Sequence, residues 1–157
     1  MNVSEICNGL RQRKQDEAIA NELELRKLHL ADAEFENLSE LVREETHKHA
    51  LYLQQRYGTN RITLQDQNAL RITVETADSL CLATITFSAL WHQVTVKTQG
   101  TTPLVSYTFQ VGIKGANDLP YVTWRKYDCN LGLVSEYEIV RALREALDAL
   151  VILKEEV

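Results

Sequence analysis

Proline is nearly missing from this chain: there are two in 157 residues, and neither precedes position 103. Glycine is sparse too, at six. That scarcity argues against a disordered or linker-rich protein, and the length suits one domain with an appendage. Cysteine is limited to Cys7, Cys81 and Cys129. An odd number at wide spacing suggests neither a disulfide framework nor a paired metal or redox motif. There is no excess of positive charge. The formal net charge is −5, with an isoelectric point near 5.4, which counts against coating nucleic acid by charge alone. No apolar run is long enough to span a bilayer, and the N-terminus has no apolar leader. These absences predict a soluble, cytoplasmic protein.

The chemical signatures are missing as well. There is no glycine-rich phosphate loop, no dinucleotide fingerprint, no nucleophile elbow and no paired-histidine zinc motif. Glu44 and His47 have the Glu-x-x-His spacing of di-iron bundles, but such a site needs two of these motifs and two more carboxylates. A solvated helix face is the better account. His92 has no identifiable orienting partner in sequence, and Cys129 has no neighbouring base to activate it. Tyr121, Arg125 and Tyr127 form a small polar-aromatic set that suits a protein contact as much as a base. No catalytic residue, metal ligand or cofactor is assigned, and no enzyme is expected.

What is present is helix. Arg11 to Tyr57 contains neither proline nor glycine and is dense in Glu, Leu, Lys, Arg and Ala. Arg11 to Glu17 offers nothing apolar to bury. From Leu28 the apolar residues Ala31, Phe35, Leu38 and Val42 follow at heptad spacing, and His49 and Tyr52 resume it after the misfit Glu45. The stripe suits a helix against its own sheet as well as a partner helix. Unbroken from Ala18 to Tyr57 it would run about 60 Å. The alternative is a break near His29–Ala31, with Asp32 capping a second helix. A short turn capped by Ser4 is expected before it, and Gly58 ends the arm.

After Gly58 the period changes to two. Ile62 and Leu64, then Leu70, Ile72 and Val74, alternate with polar residues, and Ala77–Ser79 reads as a turn. Leu80 to Phe87 is apolar and threonine throughout and reads as a central strand. Trp91 to Val96 and Val105 to Ile113 alternate again, with Gly112 read as a bulge. Gly115 to Pro120 is a loop, Val122 and Trp124 resume the alternation, and Asp128 to Gly132 breaks the sheet. Ser135 and Glu138 make a capping box for a last amphipathic helix carrying Ile139, Leu143, Ala146, Leu150, Leu153 and Val157.

The predicted fold is therefore α+β. Residues 1–57 form a helical arm, and residues 58–157 form an antiparallel meander of five to six strands with a C-terminal helix packed on it. That order resembles the pleckstrin-homology-like and helix-grip folds, a likeness of fold that says little of function. The function expected is protein–protein interaction or assembly, with the arm forming a coiled coil with a second copy or a partner helix. Leu28, Phe35, Leu38 and Val42 are the candidate contacts. A small hydrophobic ligand held between sheet and last helix is the alternative.

Overall fold

The computed structural model describes residues 2–58, 61–76, 79–114 and 119–155. Helix α1 (Val3–Tyr57) is one uninterrupted element of 55 residues, about 82 Å long. Asn2 caps it rather than Ser4: its side chain accepts from the Glu5 N–H at 2.9 Å. No break occurs at His29–Ala31. Nothing there removes a helical hydrogen bond, and Asp32 reaches outward to His92 instead of capping. The helix stops at Gly58, whose φ of 98° is open only to glycine at low cost, and whose N–H closes the last turn onto the Gln54 carbonyl at 2.8 Å.

Seven strands follow: β1 (Ile62–Asp66), β2 (Ala69–Glu75), β3 (Leu80–Ser88), β4 (Gln93–Gln99), β5 (Ser106–Lys114), β6 (Leu119–Lys126) and β7 (Cys129–Leu133). Each pairs antiparallel with its sequence neighbour, so the sheet order is the chain order and β1 and β7 are its edges. Helix α2 (Glu136–Glu155) closes the chain. Its capping box forms: the Glu138 N–H donates to the Ser135 hydroxyl, and the Ser135 N–H to the Glu138 carboxylate, both at 3.2 Å.

One face of the sheet makes the core. Ile62, Leu70, Ile72, Val74, Cys81, Ala83, Ile85, Val94, Val96, Tyr107, Phe109 and Val111 are buried there. Both helices cover this face, α2 over β2 to β4 and α1 over β1, β5 and β6. They run parallel and side by side: Glu45 faces Arg144 at 3.9 Å, and one turn on His49 bonds Asp148 at 2.7 Å. The opposite face carries Thr73, Thr84, Thr95, Thr108 and Thr123 and has no covering layer among the described residues.

Several details differ from the sequence expectation. β3 buries Cys81, Ala83 and Ile85 and leaves Leu82 and Thr84 half exposed, so it is central but one-sided, as an antiparallel sheet with helices on one face requires. Trp91 belongs to the turn Ala89–His92, and β4 starts only at Gln93. Gly112 is not a bulge. It pairs in register with Tyr121, whose ring lies so close over the bare backbone that a Cβ there would sit 2.5 Å from it. The irregularity falls instead between Trp124 and Arg125. Asp128–Gly132 does not end the sheet: Tyr127, at φ 55°, turns the chain into β7. Ala77 and Asp78 of the expected turn, Gly115 to Asp118 of the expected loop, and Val157 lie outside the described residues, as does the side chain of Leu153.

Candidate interaction surface

Helix α1 has two halves of different character. Ala31, Phe35, Leu38, Val42, Thr46, Ala50 and Leu53 are buried. Six intervals over these positions average about 3.7 residues, the pitch of a nearly straight helix laid on a surface rather than the 3.5 of a left-handed coiled coil. That difference explains why Glu45 and Tyr52 fall off the expected heptad stripe: Thr46 and Leu53 take the buried places, and Tyr52 is exposed. Before Ala31 no side chain is buried. Val3 to Leu30, about 42 Å of helix, projects from the body.

Of the four sequence candidates, Phe35, Leu38 and Val42 therefore lie within the molecule's own core, and only Leu28, 48% exposed, lies on the projecting half. The exposed apolar side chains that the sequence reading did not single out are distributed. At the arm's tip Val3, Ile6 and Leu10 are exposed along one helical face, and helical geometry places Leu28 on the same face about 27–38 Å further on. Between them that face carries Lys14, Glu17, Asn21 and Glu24. Ile19 and Leu23 are exposed on the other side. At the arm's base the β3–β4 turn presents Leu90 and Trp91, 80% and 66% exposed. Their neighbour His92 fixes this turn to the helix. Its Nε2 lies 2.6 Å from Asp32 Oδ1, and its ring meets Phe35 edge-on at 5.9 Å. Leu28 is one turn before Asp32 on the helix, and Leu90 and Trp91 immediately precede His92, so the Asp32–His92 bond brings this turn to the stretch of helix where the projecting half begins. The sequence reading placed Trp91 in the strand; its exposure follows from the turn Ala89–His92, which ends before β4 begins.

The body holds the root of the arm by polar clamps. Arg43 and His47, one turn apart on α1, both reach Asp66 at the end of β1; the His47 contact is 3.1 Å, and Arg43 also lies over the Phe87 ring at 4.2 Å. The hydrogen bond from His47, with Arg43 adding to it, holds the Asp66 carboxyl below its usual range against the opposing effect of burial. On the far side Glu145 of α2 accepts from Tyr107 at 2.5 Å and from Lys126 at 3.0 Å. Burial pushes Glu145 up, but these two donors outweigh it and its carboxyl sits low. Burial and the Glu145 bond raise Tyr107, and the Glu145 bond raises Lys126. A carboxylate held ionised by a protonated phenol and an ammonium ties α2 to β5 and β6. Tyr107, Phe109 and Trp124 stack in near-parallel planes, 5.7 to 6.3 Å apart, beside it.

Each of His47, His49 and His92 bonds one carboxylate and links α1 to another element. Among the described residues no three metal-ligating side chains converge, and no helix is long and apolar enough to cross a membrane. Comparison with protein-family models, curated proteins and solved structures finds no match for this chain.

Proposed function

We infer that this is a non-enzymatic assembly protein whose projecting helix is its contact surface. The observation that carries this reading is the division of α1: the fully buried positions begin at Ala31, while Val3 to Leu30 has only Lys27 and Leu30 partly buried and presents Val3, Ile6, Leu10 and Leu28 on one face. An isolated helix in water gains little from its own hydrogen bonds, and most helical stability in proteins comes from packing of an apolar face. A docked partner would supply that packing. The bonds of His47, His49 and His92 fit the same reading, because each ties α1 to another element of the body.

Light scattering across micromolar concentrations tests it, on the whole chain and on a Leu10→Glu/Leu28→Glu variant. A mass above one chain that the variant loses is expected. A single-chain mass throughout removes self-assembly through the arm.

A second reading, a small hydrophobic ligand, draws on one observation. A concavity of about 280 Å³ opens between α1, β6–β7 and α2, lined in part by Leu38, Leu41, Val122, Leu133 and Ile139. Titration with an environment-sensitive apolar dye, with and without a Leu41→Glu change, tests that reading separately. Binding that the substitution leaves intact places the dye elsewhere.

A further inference from the structure

We propose that the arm's partner is the arm of a second copy, lying antiparallel to it, so that each tip docks at the base of the other. This rests on the assembly reading above and adds the partner, its direction and its register.

Direction follows from charge. On the face shared by Val3, Leu10 and Leu28, the middle positions are Lys14, Glu17, Asn21 and Glu24. A parallel, in-register pair would set Lys14 on Lys14, Glu17 on Glu17 and Glu24 on Glu24 of the second copy, three like-charge layers in one seam. It would also lay the basic block Arg11, Arg13 and Lys14 beside itself. With a two-fold axis between Gln15 and Asp16, Lys14 instead meets the second copy's Glu17. Leu10 then meets Asn21, Cys7 meets Glu24, and Val3 meets Leu28. By symmetry each pairing occurs twice, and no layer sets like charges together.

Register follows from the body. Sliding the two arms one heptad deeper would bring Val3 against Phe35 of the second copy. Phe35 is already buried, and the β3–β4 turn stands over it through His92, bonded to Asp32. Sliding one heptad outward would leave Leu28 uncovered and put Leu10 on Lys14. In the intermediate register the tip residues Val3 and Ile6 arrive beside Leu28, Leu90 and Trp91, the exposed apolar group at the arm's base. The turn acts as a stop, and the projecting length matches the distance from tip to stop.

The test uses the whole chain with Cys129→Ser, which leaves Cys7 as the exposed thiol among the described residues, Cys81 being buried. Sedimentation equilibrium gives the dimer Kd for this protein, for Lys14→Glu, for Glu17→Lys and for the two changes combined, with circular dichroism confirming unchanged helicity. Each single change creates two like-charge layers in the antiparallel pair and should raise Kd at least about tenfold, and the combined change should restore it. In a parallel pair the single changes exchange one like-charge layer for another and leave Kd nearly unchanged. A thiol oxidant supplies the second readout. The two Cys7 thiols lie about 26 Å apart along the antiparallel pair and should not link, whereas a parallel pair would bring them together. A dimer that is indifferent to the single changes, or that forms a Cys7–Cys7 disulfide, overturns the antiparallel pairing and leaves the assembly reading standing. A chain that stays monomeric overturns the pairing with a second copy and, with it, self-assembly through the arm.

Discussion

Thr46 tests how the root of the arm is packed. It lies on the buried stripe of α1 between Val42 and Ala50, is fully inaccessible, and its hydroxyl has no hydrogen-bond partner among the described residues. An unsatisfied buried hydroxyl costs about 1–3 kcal/mol, and a methyl group in its place keeps the site filled. Valine has nearly the same shape and the same β-branch, so helix propensity changes little. Thr46→Val should therefore stabilise the protein by about 1–3 kcal/mol. In a chain of this size that raises Tm by roughly 2–4 °C per kcal/mol, and in urea it raises the midpoint without altering the slope. Thr86→Val, on the exposed face of β3, is the control and should change stability by less than about 0.5 kcal/mol. A Thr46→Val protein less stable than the parent would refute the reasoning. The hydroxyl would then be satisfied, most simply by bonding back to the Val42 carbonyl one turn earlier.

Two further outcomes are expected. Removing residues 2–27 deletes only side chains outside the core, so thermal unfolding of the body should move by no more than about 1–2 °C while far-UV helicity falls in proportion to the residues lost; a cooperative loss of the sheet signal would show that the arm is part of the fold. Acid should weaken the body through Asp66 and Glu145. Both carboxyls are held below their ordinary values of 3.8 and 4.5, so the unfolded chain takes up protons more readily than the folded one, and stability present at neutral pH is lost as pH falls from about 4.5 through the folded values. Asp66→Asn should flatten the acid limb of a pH series of urea midpoints; an unchanged limb would show that the Asp66 cluster contributes nothing.

The layout of helix, meander and helix was legible because each element carries its own period. The strands alternate from Leu70 to Val74 and from Val105 to Ile113, and the Ser135–Glu138 box marks the second helix where it begins. Two features were not legible, for different physical reasons. The short polar strand β7 is held by pairing with β6 and buries none of its residues, so no apolar alternation announces it. The position of Trp91 depends on a tight turn in which His92 adopts φ 51°, and a histidine-carboxylate bond across 60 residues helps hold that turn; no local pattern encodes such a bond.

Three of the four candidate contacts, Phe35, Leu38 and Val42, are core for a third reason, and it is the most informative one. A heptad stripe and the stripe of this nearly straight helix on its sheet differ by about 0.2 of a residue per turn, too little to separate over Leu28 to Val42. They diverge only at Thr46 and Leu53, where burial follows the wider spacing and leaves Tyr52 in solvent. The segment that looked most like a coiled coil is thus the part already engaged inside the molecule. The projecting part is the one whose apolar face is interrupted by Lys14, Glu17, Asn21 and Glu24. In the proposed pairing such a face would gain little from apolar contact alone, so its charged layers would decide the partner. That is why the charge exchange between Lys14 and Glu17, rather than removal of a leucine, is the perturbation that separates one mode of pairing from another.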